Sequence, residues 1–199
     1  MTPVSGRSGG GRAATSDQPP QPPQPPRSDP QDPQDPLSAA REICLKQLSF
    51  GPRTKAQLAA AMGRRGVEEE TAEAILGRLV DVGLVDDAAF AAAWVESRHS
   101  GRGLARKALA HELRRRGVAD ALVDEAVAEL DPEQELATAR TLAARRLAGT
   151  GGLDPAVRFR RVAGMLARKG YSQGLAYRVI REALEAEGVD SEQLPDPDL

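Results

Sequence analysis

The sequence predicts an all-α protein of three tandem three-helix repeats forming an elongated, curved body, preceded by a disordered, proline-rich tail. Apolar residues recur with helical spacing between residues 38 and 187, and no segment alternates β-branched with polar residues as strands do. Capping signals and glycines divide this region into short helices. A helix that ends in a glycine occurs three times, which is typical of modules that stack on their neighbours.

The repeat is clearest when the chain is aligned on Gly66, Gly117 and Gly170, which lie 51 and 53 residues apart. Apolar residues occupy the same four offsets from each glycine: Leu58, Leu109 and Val162; Met62, Leu113 and Leu166; Val67, Val118 and Tyr171; Leu76, Val127 and Ile180. We therefore predict three modules, at residues 37–85, 86–131 and 132–187, each with a lead helix, a glycine-ended helix and a closing helix.

The helices of each module can be justified from local signals. In the first module, Gly51 and Pro52 break the lead helix, and Thr54 with Gln57 forms a capping box that opens the next one. The lead helix of the second module has its N-cap at Asp86 or Asp87, and glycines at 101 and 103 are expected to interrupt it. In the third module, caps are predicted at Asp154 and Ser172, and Pro155 suits a first helical turn.

Both ends of the chain are expected to be loose. Residues 1–36 contain ten of the 15 prolines, including the run PPQPPQPP, and carry too few apolar side chains to offset the entropy of ordering. Residues 188–199 are acidic and proline-bearing, which also favours a tail. We expect a passive N-terminal segment with local polyproline II structure; a role as an SH3-type ligand is a weaker alternative.

Composition excludes several classes of function. Cys44 is the single cysteine, so no internal disulfide can form, which favours a reducing compartment. The apolar neighbours of Cys44 predict that its side chain lies in the core. The sequence contains neither a membrane-spanning run nor the apolar core of a signal peptide. The chain contains no zinc-ligand pattern, Walker loop or nucleophile elbow. We therefore predict no enzymatic activity, no cofactor and no metal.

The charge pattern is the feature that points to a partner. Seven Lys or Arg residues stand against one acid between residues 98 and 116, and eight stand against one acid between residues 140 and 169. Such uncompensated faces favour a polyanion, most simply the backbone of single- or double-stranded DNA. The predicted contact residues on these outer faces are Arg98, Arg102, Lys107, Arg114, Arg115, Arg158, Arg161 and Arg168. In the first module, the basic residues are followed by three glutamates at positions 68–70. This module is therefore the least suited to phosphate and the most suited to a protein partner.

The run LVDDAAFAAAWVESRHSGRGLARKALAHELRRRGV, at residues 84–118, resembles the central motif of the bacterial RecX regulatory proteins. The earlier RTKAQLAAAM and the later RKGYSQGLAYRVIREAL are similar to that family in the same order. The resemblance implies a cytoplasmic protein that binds the RecA recombinase and its filament on DNA. It also implies limits on filament growth, strand exchange and the co-protease activity of the SOS response, and hence a role in DNA repair and recombination. We expect a monomer.

Two other interpretations remain open at this point. The segment TKAQLAAAMGRRG…AILGRLVDVGLV by itself resembles a winged-helix core, which would make the protein a DNA-binding transcription regulator, provided that a β-hairpin follows Val85. The segment after Val85 reads as a helix instead. Alternatively, the basic faces are simply solvated, and the protein is a helical scaffold that does not bind nucleic acid.

Overall fold

A computed structural model describes residues 35–190, and within them the chain forms nine α-helices and no strand. They are α1 (Pro36–Leu48), α2 (Lys55–Gly63), α3 (Glu69–Asp81), α4 (Asp87–Arg102), α5 (Arg106–Arg115), α6 (Asp120–Ala128), α7 (Pro132–Ala148), α8 (Pro155–Arg168) and α9 (Gln173–Ala186). The predicted all-α class is confirmed. The predictions for the PPQPPQPP segment and for the end of the acidic tail fall outside the described residues.

The helices pack in three groups of three, each around its own apolar core. Helices α1–α3, α4–α6 and α7–α9 make their main contacts within the group, and we call these groups the first, second and third modules. Cys44 is completely buried in the first core, as expected, and burial raises the pKa of its thiol. The repeated fold thus follows from three separate hydrophobic faces, each closed within one module.

The repeat positions are equivalent in structure as well as in sequence. Gly66, Gly117 and Gly170 all have positive φ angles, of 77°, 78° and 88°, a conformation that glycine adopts without strain. The residues eight and four positions before each glycine are all fully buried. Because the glycine turns the chain back, the apolar residue after it packs on the helix it has just left. This is why the spacing of the pattern is so regular.

Most predicted caps are present. The Thr54–Gln57 capping box forms in both directions, and the side chains of Asp86, Asp154 and Ser172 each accept a backbone N–H of the helix they begin. One boundary differs from the prediction, because α4 continues through Gly101 and ends at Gly103. A single glycine costs a helix only about 1 kcal/mol, which the packing of a 16-residue helix offsets.

Successive modules meet at each junction through a hydrogen bond to a backbone carbonyl oxygen. At the first junction, the Thr54 hydroxyl donates to the carbonyl oxygen of Arg116 at 2.7 Å; at the second, the Ala105 N–H donates to that of Lys169 at 2.8 Å. Both acceptors directly precede a repeat glycine. The end of the glycine-ended helix in one module therefore lies against the start of the corresponding helix in the module before it.

A carboxylate completes each junction. The N–H of Lys55, at the start of α2, donates to Asp87 at 2.8 Å, and the N–H of Arg106, at the start of α5, donates to Glu135 at 3.0 Å. These acids belong to the lead helix of the next module, so one module caps a helix of its predecessor. Asp87, the first residue of α4, thus caps α2.

The winged-helix alternative is not supported by this fold. It requires a β-hairpin after Val85, and the residues that follow, from Asp87, form the four turns of α4. In the described part of the chain, none of the helices is both long and apolar enough to cross a membrane.

Candidate functional site

A groove of about 1420 Å³ lies between α5 of the second module and α8 and α9 of the third. Its floor is mainly apolar and is formed by Ala108, Phe159, Ala163, Ala167, Tyr171, Leu175, Ala176 and Tyr177. Its rim carries the basic residues Lys107, His111, Arg160 and Arg168, together with the ion pair of Arg106 and Glu135. The groove therefore combines an apolar bed with positively charged walls, the composition expected of a surface that receives a charged macromolecule.

The rim follows from helical spacing on both sides. Lys107 and His111 are four residues apart on α5, and Arg160 and Arg168 are eight apart on α8, so each pair projects from one face of its helix. All four residues are exposed, and none of them forms an ion pair with another residue of the described range 35–190. The charges of Lys107, Arg160 and Arg168 are therefore available to a partner.

Aromatic residues give the floor a fixed shape. The rings of Phe159 and Tyr177 meet edge to face with centroids 5.5 Å apart. The buried hydroxyl of Tyr171 donates to the carbonyl oxygen of Gly103 at 3.2 Å and so ties the third module to the second. Burial, with a smaller contribution from Glu135, raises the pKa of Tyr171 to about 12, so this donor keeps its proton.

The predicted contact residues are distributed over more than one surface. Lys107 and Arg168 line the groove, whereas Arg115 and Arg161 are exposed outside its lining. Arg114 is exposed but engaged, because Asp120 and Asp124 of α6 accept its guanidinium at 2.7 and 2.9 Å. Its charge is locally compensated, which weakens the case for a contact role.

Arg102 and Arg98 lie elsewhere on α4. Arg102 is exposed beside a shallower depression at the α4–α7 boundary, and its carbonyl oxygen accepts a 2.5 Å hydrogen bond from Lys169 Nζ. Arg98 is half-buried against Trp94 and Glu112. These two residues therefore flank the module junctions and do not face the groove.

The prediction that Arg158 lies on the outer basic stripe is wrong. The residue is 7% exposed, and its guanidinium donates to the Leu147 carbonyl oxygen and to the Thr150 hydroxyl. It also pairs with Glu187 at 2.6 Å. The reason is positional: Arg158 lies on the first turn of α8, facing the end of α7, whose last carbonyl groups need donors.

Trp94 lies at the edge of the second core. It is half-buried, and the guanidinium groups of Arg98 and Arg116 lie 4.0 and 3.6 Å from its ring centroid. Phe90 stacks on Trp94 with the ring centroids 5.8 Å apart, and the Trp94 indole N–H donates to Glu112 at 2.9 Å. The ring is thus held in a layer of cations at the edge of the second core.

Sequence reasoning missed part of the groove. Arg160, His111 and Tyr177 line the groove but are not among the predicted contact residues. Repeat alignment contained the signal for Arg160, because this residue falls at the position of Lys107 in the preceding module. No pattern within one module indicates the floor, since it forms only where two modules meet.

Comparison with protein-family models gives a consistent result for the whole helical region. Residues 40–79, 86–127 and 133–180 match the first, second and third three-helix domains of RecX. The chain is 61% identical over 157 residues to the regulatory protein RecX of Streptomyces coelicolor, covering 79% of this chain and 84% of that protein. It is 59% identical over 159 residues to RecX of Thermobifida fusca, covering 80% and 85%.

Solved structures have the same fold. The crystal structure of RecX from Lactobacillus salivarius superimposes with a TM-score of 0.70 over 76% of this chain and 98% of that one, at 19% identity. A second crystal structure, of a regulatory protein RecX, gives a TM-score of 0.66 at 26% identity, over 74% and 72% of the two chains. With three domain matches in order and relatives near 60% identity, the chain belongs to the RecX family of regulatory proteins.

Proposed function

We propose that this protein binds the RecA recombinase and its filament on DNA, and thereby limits filament growth, strand exchange and SOS co-protease activity. The observation that carries this proposal is the basic-rimmed groove between the second and third modules of a RecX-family chain. In this proposal the protein is a monomer without catalytic chemistry. It acts in the cytoplasm, where RecA and chromosomal DNA are found.

The groove suits such a partner on physical grounds. The three unpaired cations on its rim, Lys107, Arg160 and Arg168, can neutralise phosphates of the DNA backbone or acidic side chains of RecA, and the apolar floor can cover a side chain or a sugar edge. When the protein is bound to the filament in this way, other molecules cannot bind to the same surface. Inhibition then follows from occupancy, so that a second DNA strand or a repressor substrate has no access.

The decisive experiment measures ATP hydrolysis by RecA on single-stranded DNA while this protein is titrated. We expect inhibition well below one molecule per RecA, as filament regulation requires. The triple variant Lys107→Glu, Arg160→Glu and Arg168→Glu should lose most of this inhibition, because three attractive charges on the rim become repulsive. Far-ultraviolet circular dichroism should be unchanged, since the three residues are exposed.

A matched control reverses three exposed charges elsewhere, with Arg41→Glu, Lys46→Glu and Arg78→Glu in the first module. This variant has the same net charge as the groove variant and should inhibit RecA as the unmodified chain does. Equal loss in both variants would mean that total charge, and not the groove, determines binding. If the unmodified chain has no effect on RecA, the scaffold interpretation is preferred.

A further inference from the structure

A second cationic site lies at the junction of the first and second modules, away from the groove. Its centre is Trp94, against which Arg98 and Arg116 stack. Arg53 comes from the first module: it directly precedes Thr54, whose hydroxyl bonds to the carbonyl oxygen of Arg116. Three guanidinium groups from two modules are thus brought to one place.

The cluster carries more positive charge than its surroundings compensate. Glu112 is the one acid recorded beside it in the described range, and it is already shared: it accepts the Trp94 indole N–H at 2.9 Å and lies 3.9 Å from Arg98 Nε. Neither Arg53 nor Arg116 has an ion pair there. Three arginines therefore face one carboxylate.

Donor groups of the cluster are also left without acceptors. The Nε atoms of Arg53 and Arg98 are buried and form no hydrogen bond with any described residue. A buried N–H without an acceptor is unfavourable, so a ligand that supplies an acceptor is favoured. Burial lowers the pKa of Arg116, and the positive charges of Arg98 and Arg53 act in the same direction against the attraction of Glu112.

We infer that Arg53, Arg98 and Arg116 form an anion-binding site for a phosphate group of the DNA backbone. Stacking on Trp94 fixes the planes of two guanidinium groups, and forked donors of this kind match phosphate oxygens. A tetrahedral phosphate offers acceptors in several directions and can bridge three guanidiniums, whereas a carboxylate has only two oxygens. This favours phosphate over an acidic side chain.

The inference deepens the proposed function by adding a DNA contact in the first module, where none was expected. The sequence had suggested that the first module is the least suited to phosphate, and Arg53 was not among the predicted contacts. Packing changes that conclusion, because it adds an arginine of the first module to two of the second. The site would lie at one module junction and the groove at the other, giving the chain two places for the backbone of one strand.

The chain contains its own reporter for this site, because Trp94 is its only tryptophan. We would record its fluorescence while adding inorganic phosphate at constant ionic strength set with chloride, and then a 12-nucleotide oligothymidylate. Both probes should produce a saturable change. In Arg53→Gln, which leaves the residues in contact with Trp94 intact, the affinity for both should fall about tenfold or more, as for loss of a charged hydrogen bond.

The matched control is Arg65→Gln, which removes the same charge from an exposed arginine of the first module and should respond as the unmodified chain does. A phosphate effect no larger than that of chloride, or an unchanged affinity in Arg53→Gln, would overturn the site. Tighter binding of polyglutamate than of oligothymidylate would replace the phosphate with a protein carboxylate. RecA is absent from this assay, so its outcome is separate from that of the filament test.

Discussion

At the scale of single residues, substitutions of the repeat glycines can distinguish the cost of backbone strain from the cost of steric overlap between modules. An added Cβ at Gly170 would overlap Ala108 of the second module, at 2.7 Å from its Cβ, whereas at Gly66 it would meet nothing within 4 Å. Both glycines have positive φ angles. Gly66→Ala should therefore cost only the conformational strain of about 1–2 kcal/mol. Gly170→Ala should cost a further ~1–3 kcal/mol for the overlap.

Urea unfolding followed by circular dichroism measures this difference, with Gly66→Ala as the control for backbone strain. Gly117→Ala should resemble Gly170→Ala, because its Cβ would overlap Ala56 of the first module. Equal destabilisation at Gly66 and Gly170 would mean that the modules do not pack as closely as described.

Arg158 provides a residue-scale test of a corrected assignment. Arg158→Ala removes the donors to the Leu147 carbonyl oxygen and the Thr150 hydroxyl, as well as the partner of Glu187. We expect a loss of about 2–3 kcal/mol in the free energy of unfolding, since the hydrogen bonds of a buried charged group are lost, although the Leu147 carbonyl oxygen still accepts from Thr150. DNA affinity, measured by fluorescence anisotropy below the unfolding transition, should be unchanged.

Arg161→Ala is the matched control for Arg158→Ala. It removes an exposed arginine three residues further along α8, so stability should change by less than about 0.5 kcal/mol. A variant at Arg158 that remains stable but loses DNA binding would restore this residue to the contact surface.

At the scale of elements, α5 depends on its neighbour more than α2 does. Helix α2 has its own cap in Thr54, whereas the N-cap residue of α5 is Ala105, which provides no side-chain acceptor. Glu135 of the third module accepts the N–H of Arg106 instead. Glu135→Ala should therefore destabilise the protein by about 1 kcal/mol, as loss of a helix cap does.

Hydrogen exchange locates that effect. In Glu135→Ala, the first amides of α5 should exchange faster, while those of α2 keep their protection. Glu133→Ala, a change of the same type at an exposed position on the first turn of α7, should leave α5 unaffected. Uniformly faster exchange across all three modules would indicate global destabilisation and would argue against a local cap.

The same scale shows what the sequence could and could not predict. Helix periodicity, caps and the glycine repeat are properties of short segments, and the structure follows them closely. Contacts between modules are not local: nothing near Asp87 indicates that it caps α2, and nothing near Arg158 shows that the end of α7 requires its guanidinium. The groove and the Trp94 cluster escaped prediction for this reason, since each is assembled from residues about 45 or more positions apart.

At the scale of the whole molecule, the small net charge of −2 conceals basic surfaces on the second and third modules. If about five phosphates of single-stranded DNA are neutralised, the logarithm of the affinity should fall with the logarithm of salt concentration at a slope of about −3.5. Anisotropy titrations between low and moderate salt measure this slope.

Removing one contact should make that slope shallower. Replacing Arg168 with Gln should reduce its magnitude by about 0.7, the share of one phosphate. Arg114→Gln serves as the control and should change the slope less, because Asp120 and Asp124 already compensate its charge. A slope near zero for the unmodified chain would exclude binding through the backbone.

The dependence of α5 on the third module has a consequence for synthesis on the ribosome. Lys169, whose carbonyl oxygen accepts the N–H of Ala105, is translated 39 residues after Leu130, near the end of the second module. At bacterial elongation rates of about 5–20 residues per second, the nascent second module waits roughly 2–8 s for this contact. The corresponding N–H in the first module, that of Thr54, has no such delay, because Gln57 of the same module accepts it. Translation speed over residues 131–169 therefore sets how long a half-finished chain is exposed to chaperones and proteases.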